Sequence, residues 1–411
     1  MKTLLFHPSG HNFARALLGA LQREGMLGLF VTSMVFRESD RFMRLLPGAL
    51  RAELLRRKFD VPAGQLWTRP WRELGRLLAS RCGLGFLTRG ESAPFSWESV
   101  YEGVDRFVAR RLERARGEFG LDWVYGYEDA AFHTFKEAGR IGLRRAYDLP
   151  IAYWETSRRL ISEERERLPE WAGTMPGARD SQAKLDRKTA ELEMADMVVC
   201  PSQFVHDSLP PWCRERKRCV IAEFGSPAPV SEPDEVQRKK EGPLRVLFAG
   251  SMSQRKGLAD LFSAMKRVNR KDVELVVFGS PIAPMEFYRG QHSGFIHEGP
   301  RPNHEVLRLM KSCDVLVLPS IVEGRALVQQ EALMCGLPLI ITPNTGGSDL
   351  IEEGKTGFLV PIRSPELLAE KIEWFADHRP QIEEMRPHAR AMAARLTWEG
   401  YAAKITRELR A

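Results

Sequence analysis

Short apolar segments alternate with helical patterns along this chain, and one proline-rich segment interrupts the alternation. Before that segment, the runs expected to form strands are residues 3–7, 27–32, 123–127, 151–154 and 197–201. After it, they are residues 244–249, 273–278, 315–318 and 337–342, with helical patterns at 257–268, 303–312, 326–335 and 366–377. Strands that alternate with helices favour a parallel sheet covered on both faces. The sequence therefore predicts an α/β fold with two doubly wound, Rossmann-like domains that face a central cleft.

The proline-rich interruption sets the predicted domain boundaries. Residues 227–243 have neither a helical period nor a sustained apolar run, which is typical of a linker. We therefore expect an N-terminal domain at 1–228, a linker at 229–243 and a C-terminal domain at 244–385. Ligands of such folds bind beyond the carboxyl ends of the strands, so the cleft between the domains is the expected site.

Basic residues are concentrated in one part of the first domain. Residues 41–90 contain eleven Lys and Arg against three Asp and Glu, a net charge of +8 in a chain whose total is +7. Trp67, Trp71 and Phe86 are interleaved with the arginines, and this mixture suits anionic lipid headgroups. A nucleic acid and a solvated helix face are the alternatives, but no nucleic-acid-binding motif accompanies the block. The predicted partner of residues 41–90 is an anionic membrane surface, and no nucleic acid is expected.

The remaining composition indicates where such a chain works. No apolar run approaches the roughly 18 residues of a membrane-spanning helix, and the first residues lack the pattern of a secretory signal. The six cysteines include no CxxC pair and have no histidines at zinc spacing, so free thiols in a reducing compartment are expected. These features predict a cytoplasmic protein, bound peripherally at the inner face of the plasma membrane by its basic block.

A basic turn follows the first strand of the second half. Residues 250–257 open with Gly250 and Ser251 and carry Arg255 and Lys256 before a further glycine. A turn that leads from a strand into a helix offers free N–H groups and the positive end of the helix dipole, and two cations there would neutralise a diphosphate. The spacing is not that of a Walker loop. A solvated Arg-Lys pair is the alternative.

Two glutamates eight residues apart flank the start of a later helix. Glu323 follows a buried strand and precedes the helix, whereas Glu331 lies inside the helix beside apolar residues. Carboxylates in these places can contact two separate sets of hydroxyls on one ligand, while the N–H groups of Leu327 and Val328 point at phosphate oxygens. The alternative is one acid that favours the helix dipole and a second that is merely solvated.

Three segments of the second half carry a resemblance to a known family: FAGSMSQRKG at 248–257, DVLVLPSIVEGRALVQQEALMCGLP at 314–338 and TGGSDLIEEGKTGFLVP at 345–361. They resemble the donor-binding domain of retaining GT-B glycosyltransferases, specifically glycosyltransferase family 4, the group 1 glycosyl transferases. The first half matches mainly in its pattern of elements. The resemblance implies a GT-B fold and a final segment, 386–411, that crosses back onto the first domain.

The resemblance also implies a role for each donor-side residue. Glu323 would contact hydroxyls of the transferred sugar, and Glu331 would contact the ribose hydroxyls. Lys256, with Arg255 beside it, would hold the diphosphate. The other implied donor-binding residues are Gly250, Ser251, Gly324, Arg325, Ala326, Leu327 and Val328.

Residues that follow strands of the first half are expected to face the acceptor side of the cleft. Gly10 and His11 follow the first strand, and Glu128 and Asp129 follow the strand at 123–127. Either acid could position or deprotonate an acceptor hydroxyl. The alternative for Asp129 is a helix N-cap.

Two positions depart from the family's pattern. Ser251 follows Gly250 where the family usually has an arginine, which leaves Lys256 and Arg255 as the nearby cations. Glu155 stands where many members carry a histidine, at the end of the predicted strand 151–154 and beside Trp154, an expected acceptor-side residue. Three outcomes stay open: Glu155 takes over the contact of the histidine, the site is built differently, or the activity is lost.

The implied reaction transfers a sugar from a nucleoside diphosphate sugar to an acceptor hydroxyl with retention of anomeric configuration. The acceptor is expected to be a glycan or a lipid-linked precursor of a surface polysaccharide. No cofactor is expected, because the sugar nucleotide is a substrate, and the absence of Asp-x-Asp disfavours a metal site. The predicted catalytic residues are Glu323, Lys256, Glu155, Glu128 and Asp129. A sugar-nucleotide epimerase, a glycan phosphorylase and a degenerate membrane-associated homologue are the alternatives.

Overall fold

The computed structural model of the 411-residue chain describes residues 1–38, 40, 43, 47–175, 180–227 and 242–411. The described residues form one parallel sheet of seven strands and a second parallel sheet of six. Helices lie against both sheets. The predicted fold class, two doubly wound Rossmann-like domains, is therefore confirmed.

The first sheet contains strands in the order β3-β2-β1-β4-β5-β6-β7. Its strands are β1 (Thr3–Phe6), β2 (Leu27–Thr32), β3 (Leu66–Thr68), β4 (Trp123–Tyr127), β5 (Arg144–Asp148), β6 (Met197–Cys200) and β7 (Arg218–Ile221). The second sheet has the order β10-β9-β8-β11-β12-β13. Its strands are β8 (Leu244–Ala249), β9 (Val273–Phe278), β10 (Phe295–Glu298), β11 (Val315–Leu318), β12 (Leu339–Ile341) and β13 (Gly357–Leu359).

The helices of the first sheet's half precede the linker. They are α1 (Asn12–Arg23), α2 (Gly48–Leu55), α3 (Trp71–Arg81), α4 (Trp97–Ala109), α5 (Leu112–Phe119), α6 (Phe132–Arg140), α7 (Trp154–Arg167), α8 (Gln182–Met194), α9 (Gln203–Ser208) and α10 (Pro211–Arg216). The helices after the linker are α11 (Leu258–Val268), α12 (Met285–Gln291), α13 (Asn303–Lys311), α14 (Leu327–Met334), α15 (Pro365–Asp377), α16 (Arg379–Arg395) and α17 (Trp398–Arg410).

One predicted strand is wrong. Residues 151–154 are not a strand: the chain turns after Pro150 and helix α7 begins at Trp154. The strand of this region is β5, which lies just before it and pairs with β4 and β6. Its sequence begins with Arg144 and Arg145 and ends with Asp148, so no apolar run marks it. Buried Tyr125 and Tyr401 donate hydrogen bonds to the Asp148 carboxylate, which lets an acid occupy the core.

The last helix of the chain lies on the first domain. Helix α17 packs along α1, and the indole N–H of Trp123 in β4 donates to the carbonyl of Leu409 (3.0 Å). The Tyr401 hydroxyl of α17 lies 3.1 Å from Asp148 Oδ2. The preceding helix, α16, packs on α14 of the second domain. The predicted linker, 229–243, lies almost wholly outside the described residues.

The buried Asp148 makes the docking of α17 sensitive to pH. Burial raises the pKa of this carboxyl to about 7, so folding favours its protonated form. Its stabilising contribution is therefore full below about pH 4 and is lost as the pH rises through 7. We expect the free energy of unfolding of the native protein, relative to Asp148→Asn, to fall by a few kcal/mol, to order of magnitude, over that window.

Denaturant unfolding at several pH values measures this difference. The matched control is Asp377→Asn, which removes an exposed carboxylate from the second domain. A difference between native protein and Asp148→Asn that stays constant from pH 4 to pH 7 would contradict the prediction.

A segment of the first half completes the core of the second domain. After α7, the turn Pro169–Thr174 places the Trp171 indole, 1% exposed, against rings of α11 and α12. The ring centroid of Trp171 lies 5.9 Å from that of Phe262 and 4.9 Å from that of Phe287. The two domains therefore share buried apolar surface well outside the linker.

Candidate donor and acceptor sites at the domain interface

Two loops of the second sheet meet at its carboxyl edge. The turn 250–257 follows β8, and the loop 319–326 follows β11, its neighbour in the sheet. Gly257 has φ +76°, and a Cβ on it would lie 2.0 Å from the carbonyl oxygen of Pro319. The amide of Ile321 donates to the carbonyl of Arg255 (2.9 Å). Only glycine at 257 permits this approach, which brings the basic turn against the acidic loop.

The contact of these loops is an ion cluster around Glu323. The buried Glu323 carboxylate lies 2.7 Å from Lys256 Nζ and accepts a hydrogen bond from Arg255 Nη1 (2.9 Å). Arg255 Nη1 also donates to the carbonyl of Val322 (3.0 Å). Three of the predicted donor-site residues are thus brought together, with two cations and one anion at the mouth of the second sheet.

The charge of this cluster favours a further anion. Burial lowers the pKa of Lys256, and the nearby Glu323 carboxylate opposes that shift. The Arg255 guanidinium and the Lys256 ammonium share the single Glu323 carboxylate. The cluster therefore carries a net positive charge when all three groups are ionised. A diphosphate beside it would supply the missing countercharge.

Helix α14 points its amino end toward the same edge of the sheet. Leu327 and Val328 form its first turn, so their N–H groups have no partner within the helix. Glu331 lies one turn further on, half-buried, and burial raises the pKa of its carboxyl. Ala326 is the N-cap residue, and its amide donates to the carbonyl of Thr345 (3.1 Å). The start of α14 therefore presents free donors and one desolvated carboxyl near the ion cluster.

Gly324 ties the donor loop to the first domain. A Cβ on it would lie 1.8 Å from the carbonyl oxygen of Pro150, just before α7. The Ser202 hydroxyl donates to the carbonyl of Gly324 (2.7 Å), and the amide of Ala152 lies 3.4 Å from the carbonyl oxygen of Glu323. Glycine is required here by close contact rather than by its backbone angles.

Two predicted donor residues have other neighbours. The fully buried Arg325 side chain donates to both carboxylate oxygens of Asp349 (2.8 Å each) and to the carbonyl of Gly346 (2.9 Å). Its guanidinium thus organises the loop after β12. Ser251 lies beside Gly250, and its hydroxyl is 3.5 Å from that of Ser253.

The acceptor-side prediction places Gly10 and His11 beyond β1. A Cβ on Gly10 would lie 2.5 Å from the Arg15 guanidinium, so this residue sits under a side chain rather than open to the cleft. The ring of His11 is stacked on that of Phe13, at 5.1 Å between centroids, and lies 5.2 Å from that of His7. Burial lowers the pKa of His7 to about 3, so this histidine is neutral.

Glu128 and Asp129 follow β4 and face helix α8. Lys188 Nζ lies 3.2 Å from Glu128 Oε1 and 3.5 Å from Asp129 Oδ2. Burial raises the pKa of Glu128, and Lys188 opposes the shift. Asp129 has φ +69°, a left-handed conformation that is uncommon for residues other than glycine. A buried acid with a raised pKa and a strained neighbour is typical of a functional site.

The alternative role of Asp129 as a helix cap is wrong. Helix α6 begins at Phe132, and its first amides donate to carboxylates from other helices. Glu191 of α8 accepts from Ala131 and Phe132 (3.1 Å each), and Asp105 of α4 accepts from His133 (2.7 Å). The side chain of Asp129 therefore remains available for the ion pair with Lys188.

Glu155 does not end a strand. It is an exposed residue in the first turn of α7, the helix that begins where the sequence had predicted the end of a strand. Its neighbour Trp154 is held in place, because the indole N–H donates to the hydroxyl of Thr189 (3.0 Å). Trp154 lines a cavity of about 130 Å³ with Arg158 and Lys188. The structure thus brings Trp154 near Glu128 through Lys188 and leaves Glu155 on the outer surface of the helix.

A buried polar network next to the basic turn is absent from the sequence prediction. Gln254, directly before Arg255, donates to Glu164 and to Asp260 (2.8 Å each). Arg167 pairs with the same two acids. The i, i+3 spacing of Glu164 and Arg167 was the sequence feature that could have indicated this network, but such pairs are common on exposed helices. The network links α7 of the first half to the turn that carries the predicted diphosphate cations.

The described residues also bear on membrane spanning and on metal binding. No helix within 1–38, 47–175, 180–227 or 242–411 is long and apolar enough to cross a bilayer. In the same part of the chain, no three His, Cys, Asp or Glu side chains are grouped so as to hold a metal ion.

The second half of the chain matches a known family. Residues 231–392 match the model of the group 1 glycosyl transferases. The D-inositol 3-phosphate glycosyltransferase of Corynebacterium diphtheriae is 29% identical over 171 residues, which are 38% of this chain and 40% of that protein. The D-rhamnosyltransferase WbpZ of Pseudomonas aeruginosa is 27% identical over 49% of this chain and 55% of its own length. The chain thus spans about half the length, or less, of these curated relatives.

Solved structures are similar over the entire chain. Sucrose-phosphate synthase from Thermosynechococcus elongatus superposes with a TM-score of 0.66 at 18% identity, and the match covers 100% of this chain and 98% of that one. These values establish a shared fold, with two Rossmann-like domains of GT-B type. The family match is confined to residues 231–392, and the similarity to solved structures extends the shared fold to both domains.

Proposed function

We propose that this protein is a retaining glycosyltransferase that moves a sugar from a nucleoside diphosphate sugar to an acceptor hydroxyl. The observation that carries the proposal is the ion cluster of Lys256, Arg255 and Glu323 at the carboxyl edge of the second sheet. A site with two cations, one carboxylate and a helix amino end suits a diphosphate that is joined to a polyhydroxylated ring.

Lys256 and Arg255 would stabilise the leaving group. When the anomeric C–O bond breaks, negative charge builds on the departing diphosphate, and fixed cations in a buried site lower the free energy of that state. The first N–H groups of α14 would add to this stabilisation. No metal ion is needed in this proposal, because the two side chains provide the countercharge.

Glu323 would change partners when the donor binds. In the structure its carboxylate is paired with both cations. A diphosphate would take over that pairing, and the carboxylate would then accept hydrogen bonds from hydroxyls of the sugar. This exchange keeps each buried charge paired before and after binding.

The acceptor would bind on the first domain. Glu128 is buried, has a raised pKa and lies near the cavity that Trp154 lines, so it is the proposed base for the acceptor hydroxyl. Asp129 would hold Lys188 beside it. The exposed position of Glu155 makes it a weaker candidate for a catalytic contact, and we propose for it only a place at the rim of the acceptor site.

The donor class is supported by one structural neighbour. The Anabaena protein HepE, solved with UDP-glucose, superposes over 100% of this chain and 99% of its own with a TM-score of 0.61 at 17% identity. We propose a nucleoside diphosphate hexose as donor and a glycan or lipid-linked precursor of a surface polysaccharide as acceptor. The proposed location is the cytoplasmic side of the membrane.

Binding of the donor can be tested with the Glu331→Gln variant. If Glu331 contacts the ribose hydroxyls, the variant loses charge-assisted hydrogen bonds worth about 1.5–3 kcal/mol, and binding weakens about 10- to 100-fold. Titration calorimetry with UDP-, GDP- and ADP-sugars measures this directly. The exposed Glu370→Gln in α15 is the matched control and is expected to bind as the native protein does. Equal affinity of native protein and Glu331→Gln would contradict the assignment.

The reaction itself is tested by product analysis with the donor that binds. Release of the nucleoside diphosphate together with a new α- or β-glycoside of the donor's own anomeric configuration supports retaining transfer. A product that keeps its nucleotide would indicate an epimerase instead. Donor binding without any turnover, over a panel of polyprenyl-phosphate and sugar acceptors, would favour the degenerate homologue.

A further inference from the structure

Helix α3 and the turn after it expose large apolar side chains to solvent. Trp71 is 65% exposed, Leu78 is 54% exposed and Phe86 is 74% exposed. The set that we call the α3 face consists of Trp71, Leu74, Leu78, Leu84 and Phe86. Exposed apolar groups occur singly on most proteins, but five of them within residues 71–86 indicate an interaction surface.

The helical residues of this set share one side of α3. At about 100° per residue, Trp71, Leu74 and Leu78 fall within an arc of about 60°. Arg72 lies to one side of that arc and Arg81 to the other. The helix is therefore amphipathic with its apolar stripe outward, and basic residues border the stripe.

The only acid of α3 faces the protein. Glu73 is fully buried, and its carboxylate accepts hydrogen bonds from Ser33 and Arg57. Arg76 lies 3.9 Å from the same carboxylate. With its acid neutralised inside the fold, α3 presents its apolar side chains and the exposed Arg81 outward. Arg72 instead donates to the carbonyl of Ser99 (2.8 Å), and Arg76 stacks over the Trp97 ring.

The α3 face lies beside the acceptor side of the cleft. Ser33 follows β2, and its hydroxyl oxygen lies 2.5 Å from the carbonyl oxygen of Pro8, which follows β1. Both strands end at the edge where the acceptor residues lie. A chain of rings continues inward: the exposed Trp97 lies 6.3 Å from Tyr101, and Tyr101 lies 6.1 Å from His7. The buried side of α3 is thus attached to the acceptor edge through Glu73 and Ser33, and a surface bound to the opposite α3 face would lie about one helix diameter from that edge.

We infer that the α3 face inserts into the headgroup region of an anionic membrane and presents the acceptor side of the cleft to that membrane. This inference deepens the proposed function and rests on it for the identity of the acceptor as a membrane-held hydroxyl compound. Tryptophan, leucine and phenylalanine partition into the interface, and arginines near an anionic surface each contribute about 1 kcal/mol. A second copy of the chain is a poorer occupant, because a symmetric contact would set the bordering arginines against each other.

Vesicle sedimentation tests the inference. Native protein is expected to bind vesicles of phosphatidylcholine mixed with phosphatidylglycerol more tightly than vesicles of phosphatidylcholine alone, and high salt is expected to weaken that binding. The triple variant Trp71→Ala, Leu78→Ala, Phe86→Ala is expected to bind the mixed vesicles about 100-fold more weakly, because three large apolar groups are lost. The control, Ile282→Ala with Leu367→Ala, removes exposed apolar groups from the second domain and is expected to bind normally.

Three outcomes would overturn the inference. These are native protein that binds neither vesicle, a triple variant that binds as well as native protein, and a native dimer in solution that the triple variant abolishes. Circular dichroism and donor titration check that the triple variant is folded, because no residue of the α3 face belongs to the proposed donor site. Vesicle binding by a protein that never transfers sugar would support the α3 face and overturn the proposed transferase.

Discussion

Replacing Lys256 by alanine is expected to lower kcat for sugar transfer by about 10²- to 10³-fold. The Lys256 side chain is 12% exposed, and its ammonium group lies in the ion cluster with Glu323 and Arg255, where it would face the departing diphosphate. Its loss removes a fixed positive charge at the point where negative charge develops. Initial rates of nucleoside diphosphate release, measured at saturating donor, report this effect.

The matched control is Lys266→Ala, which removes an exposed lysine from α11 of the same domain. We expect its kcat to equal that of the native protein. Because Lys256 also neutralises the buried Glu323, its loss is expected to destabilise the fold as well as to slow the reaction. The double variant Lys256→Ala, Glu323→Gln separates the two effects. Its unfolding free energy is expected to be higher than that of Lys256→Ala, while its kcat stays low. A kcat of Lys256→Ala within a few-fold of native would exclude a role in leaving-group stabilisation.

Trp171→Ala is expected to destabilise the protein by about 3–5 kcal/mol. The indole is buried among Phe262, Phe287 and Tyr288 of the second domain, although Trp171 precedes the linker in the chain. Truncation would leave a cavity that the surrounding rings cannot fill. Urea denaturation followed by intrinsic fluorescence and by circular dichroism measures the change.

Trp71→Ala is the control for this substitution, because it removes the same side chain from an exposed position. Its unfolding free energy is expected to change by less than about 0.5 kcal/mol. If Trp171→Ala were equally mild, the segment after α7 would not be part of the second domain's core. The result also bears on domain motion. If the cleft opens, either α7 and the turn after it move with the second domain, or Trp171 leaves the core of that domain.

The fold was predictable wherever strands are buried on both faces. Such strands appear as continuous apolar runs, and those at 27–32, 123–127, 244–249, 273–278 and 315–318 were predicted with the bounds that the structure has. Strand β5 was missed because arginines open it and an acid closes it. The strands β3, β7, β10 and β13 were also missed, since they are the edge strands of the two sheets and have only three or four residues each.

The sequence by itself determined the two-domain α/β fold and the segments that hold the donor-side residues, because strand periodicity and turn chemistry are local properties of the chain. Only the tertiary structure decided which side chains meet. It paired Glu323 with Lys256 and Arg255, turned Arg325 toward Asp349 and left the α3 face exposed. The physical reason is that the partners and the burial of a side chain depend on contacts between segments that are distant in sequence.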